Sequence, residues 1–207
     1  MSTKDTASRI IDAARACLLA DGYAAMSTRK VADQAGVPLS QIHYHFGSKD
    51  DLIVGLLRAE NEGRLERQAE MYGPDLPLSE QWEIACGFFD EDLASGYVRI
   101  LQEMTAAGWS SRALADELKE VYGAWVALLA RVAQGAGKQG LSLGGFAAEE
   151  IAALVSALFV GAESLILVGL ESEKVPLRAA LRKVGDLITL AEEQSRCGRD
   201  TRIETDT

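Results

Sequence analysis

The chain of 207 residues is sparing with the residues that fix small folds or carry out catalysis. Three cysteines, Cys17, Cys86 and Cys197, lie far apart and in no CxxC spacing, so neither a disulfide scaffold nor a thiolate metal site is expected. The two histidines, His43 and His45, stand two positions apart and project to nearly opposite helix faces, which argues against a shared metal. No Ser-His-Asp, Cys-His, phosphate-loop or Glu-x-x-His pattern occurs, so the chain is expected to be no enzyme, with no catalytic residues and no cofactors. Four prolines leave room for long elements, and aromatic residues make up only 6%. No charged-then-apolar leader opens the sequence, from which a cytoplasmic location is expected. What remains is 48% hydrophobic and 25% charged, the balance of a soluble chain with enough apolar surface for a core.

Charge is unevenly spread. The total of −10 argues against a general nucleic-acid binder. Yet residues 1–50 hold six basic and five acidic residues, together with both histidines, and the net negative charge is confined to the rest. An amino-terminal site for a polyanion remains open.

Hydrophobic periodicity is helical nearly everywhere. Ile11, Ala14 and Leu18 mark a first helix that ends at Asp21-Gly22. Ser27 or Thr28 caps a short helix with Val31, Ala32 and Ala35 inward, and Gly36 stops it. Pro38 sets the first turn of a second short helix marked by Leu39, Ile42 and Phe46. After Gly47-Ser48 the pattern predicts one long helix over 49–71, then helices over 78–94, 97–107, 111–136, 147–170 and 177–195. No segment alternates like a strand. The polar tail, 196–207, is expected to be disordered. The apolar run from Ala153 to Leu170 scarcely reaches the roughly 20 residues a membrane span needs and carries Glu163 in its middle. It is expected to be a buried or dimer-forming helix, with no membrane as partner.

The informative segment is STRKVADQAGVPLSQIHYHFGSK, from Ser27 to Lys49. Two short helices joined at a glycine and flanked by longer ones are what a helix-turn-helix DNA reader requires: the second lies in the major groove, which admits one helix. The small Ala35 and Gly36 suit a close crossing, and Val37 with Ile42 closes the core beneath.

In Gly22, Thr28, Val31-Ala32, Ala35-Gly36-Val37, Tyr44-His45-Phe46, Ser48-Lys49 and Leu52 the sequence resembles the tetracycline-repressor (TetR) family of bacterial transcription regulators. The resemblance covers about residues 8–55. It implies an all-α fold: a three-helix DNA-binding domain over 1–50, then a larger helical effector-binding and dimerisation domain over 51–195. By position, it assigns DNA contacts to Ser27, Thr28, Arg29, Leu39, Ser40, Gln41, His43, Tyr44, His45 and Lys49. Thr28 and Lys49 would hold phosphates, Arg29 a guanine edge, Gln41 an adenine edge and Leu39 a thymine methyl. Tyr44 and His45 would lie along the groove wall. Two departures stand out. Pro38 replaces the usual capping Ser or Thr, and His43 a common Tyr. A neutral His43 is expected to donate to a phosphate and a charged one to bind more tightly, strengthening DNA binding below roughly pH 6.5.

The same resemblance implies a homodimer on palindromic operator DNA and release by a small, largely apolar effector, most often as a repressor. Leu154, Leu158, Leu165, Leu181 and Ile188 are expected in the dimer interface or the core. Trp82, Phe88, Phe89, Tyr97, Trp109, Tyr122, Trp125 and Phe159 are candidate cavity residues, with ordinary core packing as the alternative. Glu163, costly if buried unpaired, meets an arginine, faces the dimer seam or awaits a cationic ligand.

Overall fold

The computed structural model describes residues 3–73 and 76–203, in which ten helices carry the regular structure and one isolated bridge joins Ser172 and Val175. Packing groups them into two units, 1–64 with 93–123, and 65–92 with 124–207. The boundary expected after residue 50 falls inside a helix, and the packing does not divide there.

The first unit is built on α1 (Thr3–Ala25), α2 (Thr28–Ala35), α3 (Leu39–His45) and α4 (Lys49–Asn61). With them pack α7 (Tyr97–Gly108) and the start of α8 (Arg112–Lys138). Ile10, Ala14 and Leu18 of α1 meet Val31, Ala32, Ile42, Leu52, Leu56, Ile100, Met104 and Leu114 in one closed core. The backbone of α1 breaks at Gly22 (φ 76°, ψ 165°), where the sequence predicts the helix to end. Ser48 caps α4 in a reciprocal box with Asp51. The predicted single helix over 49–71 is in fact two. Glu62 turns extended and Gly63 takes φ +68°, so α4 stops at Asn61 and α5 (Arg64–Met71) starts anew.

The second unit holds most of α5 and of α6 (Leu78–Ser95), the rest of α8, α9 (Ala148–Leu167) and α10 (Leu177–Ile203). Ala152, Ser156, Phe159 and Ala162 form the buried stripe of α9. Arg178 and Arg182 of α10 reach Asp90 of α6 at 2.9 and 2.6 Å, tying those two helices. The tail predicted to be disordered from 196 instead continues α10 to Ile203; residues 204–207 lie outside the described residues.

Candidate nucleic-acid interface

Ser27 caps α2 by accepting the Lys30 amide hydrogen at 3.3 Å. Val31, Ala32 and Ala35 turn inward, leaving Arg29 exposed and Thr28 half-buried, while Lys30 pairs with Asp21 at 2.8 Å. Gly36 is left-handed at φ 62°, a conformation that costs other residues, and its amide donates back to Ala32 and Asp33. Pro38 follows at the start of α3 with no side-chain cap. The recognition-type helix α3 is only seven residues long. Ile42, wholly buried, anchors it, and Leu39 and Gln41 are half-buried. Ser40, His43 and Tyr44 are exposed, the tyrosine at 75%.

Three expected contacts are placed differently. His43 Nδ1 lies 2.9 Å from the Gly47 carbonyl. A carbonyl only accepts, so Nδ1 carries the hydrogen and Nε2 of the neutral ring is an acceptor. A neutral His43 in this tautomer therefore does not donate from Nε2 to a phosphate, contrary to the sequence expectation; only the charged ring does. His45 packs edge-on to Tyr44 at 5.0 Å and near Phe46 at 6.1 Å, with its Nε2 buried and unpartnered, so it is folded against the helix rather than laid along a groove. The Lys49 amine turns back onto Tyr23, donating to its carbonyl at 2.5 Å and lying 3.9 Å over its ring. Burial holds the Lys49 amine below the usual lysine value, against the opposing pull of Asp50. That placement turns the amine inward onto the end of α1.

Beside it, Asp50 accepts from Ser111 Oγ and Tyr23 Oη, each at 2.5 Å. The two hydrogen bonds, that of Ser111 first, hold its carboxyl below the usual range, and burial only partly opposes them. Tyr23, buried first and bonded to Asp50 second, is pushed up to about 12. Glu103 of α7 accepts the Tyr23 amide hydrogen at 3.1 Å. Nothing in the sequence pattern signals this hub, since its partners come from 26 to 80 positions away.

The aromatic candidates do not form one lining. Tyr97, 6% exposed, sits in the core of the first unit and donates to Asn61 at 2.5 Å. Tyr122 packs against that same core, and Trp109 is 84% exposed. In the second unit Trp82, Phe89 and Trp125 surround Phe159 at 5.4, 5.5 and 6.1 Å, ring on ring. Phe88 meets Tyr72 instead, at 6.5 Å. An open cleft in this unit is lined by Leu78, Ala136, Gln139, Leu141, Glu192 and Ser195, none of them a candidate. Glu163 is half-buried, one turn beyond Phe159 on the same face of α9.

Leu181 is core, 4% exposed, and its carbonyl accepts from the Trp82 indole at 2.8 Å. Ile188 is half-buried, whereas Leu154, Leu158 and Leu165 are exposed at 57, 44 and 40%. Burial raises the Cys17 thiol and takes that of Cys86 to about 11, as expected of inert thiols; the Cys197 side chain lies outside the described residues. Among the described residues no cluster of His, Cys, Asp and Glu is placed to hold a metal.

Residues 10–56 match the bacterial regulatory proteins of the tetR family. The uncharacterized HTH-type transcriptional regulator TtgW of Pseudomonas putida is 32% identical over 80 residues, which is 39% of this chain and 57% of TtgW. The chain thus spans little more than half the length of that relative. The fold is shared with the transcriptional regulator FadR of Bacillus subtilis in complex with stearoyl-CoA (TM-score 0.73, 18% identity, 87% of this chain and 96% of that one). It is shared equally with a protein of Saccharomonospora viridis in complex with choline (TM-score 0.73, 20% identity, 88% and 94%). Both TtgW and FadR are described as transcriptional regulators. Residues 10–56, which hold α2, α3 and most of α4, are thus similar to the tetR family of bacterial regulatory proteins, and the likeness of the remainder is one of fold.

Proposed function

We propose that the protein is a cytoplasmic repressor that binds a palindromic operator as a homodimer and leaves it when a small, largely apolar molecule binds. The observation that carries this reading is α3: a helix anchored by one buried residue, Ile42, with Ser40, His43 and Tyr44 outward and Arg29 exposed on the helix before it. A helix of this kind reads base edges in the major groove, and its partner copy reads the second half-site about one or more duplex turns away. Thr28, Leu39 and Gln41, half-buried at the rim, complete the reading surface.

The second copy would cover α9 and α10. Leu154, Leu158 and Leu165 on one and Leu187 and Leu190 on the other, at 65 and 53%, form an apolar face that a lone chain leaves in water. Helix α9 is long and apolar enough to cross a bilayer, but its buried stripe and half-buried Glu163 fit a protein interface. The effector would enter the aromatic group around Phe159, with Glu163 one turn away; relatives of this fold hold stearoyl-CoA and choline. Release then follows from differential affinity: a molecule that prefers the form unable to bind DNA weakens operator binding by the same factor, typically about 1–3 kcal/mol.

The test is a gel shift with the promoter DNA beside the protein's own gene. Binding by the wild type, with loss on Arg29→Ala and altered base preference on Gln41→Ala, is expected. Failure to bind that promoter and any duplex selected from a randomised pool would end the reading.

A further inference from the structure

Arg9 lies in the first turns of α1, outside the segment expected to touch DNA, and its guanidinium crosses to the end of α2. Its Nη2 donates to the carbonyl of Ala35 at 2.5 Å, over 26 positions of sequence. Ala35 is the last residue of α2, so the cation sits at the negative end of that helix and makes a charge-assisted hydrogen bond. The next residue is the left-handed Gly36, and a Cβ built there would stand 3.4 Å from the same nitrogen. The guanidinium therefore occupies the outside of the turn joining the two short helices.

Helix α3 is short, and the turn before it sets the direction in which it starts. It is seven residues long, Pro38 gives it no side-chain cap, and a helix so short is marginal on its own. Its anchors are Ile42 below, with Leu39 and Phe46 partly buried against the same core, and the turn before it. We infer that Arg9 is a positioning residue for base reading: by pinning the Ala35 carbonyl it fixes the angle at which α3 leaves the turn. This rests on the DNA-reading proposal above. The role differs from that of a phosphate clamp: the Nη2 hydrogen bond to a carbonyl fixes backbone direction, whereas a phosphate contact contributes counterion release.

The experiment compares wild type, Arg9→Met, which keeps the stem, and Arg9→Lys, which keeps the charge. Two duplexes are used: one selected by the wild-type protein from a randomised pool, and a scrambled version of equal composition. Each variant is first shown to be folded by circular dichroism at the assay temperature. For Arg9→Met, affinity for the selected duplex is expected to fall about tenfold. Affinity for the scrambled duplex and the slope of log K against log salt stay as in the wild type, and Arg9→Lys recovers part of the loss. Equal loss on both duplexes, with the slope smaller by about one, would overturn the inference and make Arg9 a phosphate contact. Unchanged discrimination would overturn it too. Amide hydrogen exchange at Gly36 to Gln41, expected to quicken in Arg9→Met, is read without DNA. If the wild type binds neither duplex, the DNA reading fails on its own account, and exchange still decides whether Arg9 holds the turn.

Discussion

The Lys49 amine and the Tyr23 carbonyl, 2.5 Å apart, join the first turn of α4 to the end of α1. The same amine lies over the Tyr23 ring, so one side chain makes both a charged hydrogen bond and a cation–π contact. Lys49→Met is accordingly expected to lower stability by about 1 kcal/mol in urea unfolding. The slope of log K against log salt for DNA binding should stay within about half a unit of the wild type; a drop of about one would show that the amine neutralises a phosphate after all.

Asp50 makes the same corner dependent on pH. Its folded carboxyl is held below the unfolded value of about 3.9. A depressed acid contributes stability that is present above the unfolded value and lost as pH falls through the folded one. In urea titrations the wild type should therefore exceed Asp50→Asn at neutral pH, and the gap should narrow in acid. Ser111→Ala and Tyr23→Phe, each removing one hydrogen bond to the carboxylate, should each cost about 1–2 kcal/mol at neutral pH. A gap that widens in acid would contradict this account.

Gly22 has an angle pair that only glycine adopts readily, and a Cβ there would meet the Glu103 carboxylate at 3.1 Å. Gly22→Ala is expected to lose about 1–3 kcal/mol from backbone strain alone. A thermal midpoint equal to that of the wild type would show that the backbone relaxes without cost.

The exposed leucines give a test of assembly. Leu158→Glu or Leu187→Glu places a charge on a face that is apolar and open in the single chain, so folding should survive. Sedimentation is expected to show a dimer for the wild type and monomers for the variants, and operator affinity should collapse, since two half-sites need two heads. Dimers that persist in both variants would move the interface elsewhere.

The reading unit was legible because its signals are local. Ser27 caps, Gly36 takes φ > 0, and Val31, Ala32, Ala35 and Ile42 point inward at helical spacing, all within a few positions of one another. The break at Gly63 was not, because Glu62 and Arg64 beside it suit a helix surface as well as a cap. The roles of Lys49 and Arg9 were hidden for a related reason: each is spent on a backbone carbonyl, and every residue has one, so no residue type marks the partner. The aromatic candidates were misgrouped because composition says nothing of which rings share a core. Tyr97 and Phe159 look alike in sequence and serve separate packing units.

The three tryptophans differ in ways an optical probe can read. Trp109, at 84% exposure, should emit at the red edge and yield to iodide quenching, while Trp82, at 8%, should do neither. Trp82 and Trp125, both against Phe159, are the ones whose emission an effector in the aromatic group would change. Replacing Trp109 with Phe would remove the solvent-facing background and leave an intrinsic fluorescence titration for candidate effectors, with no label attached.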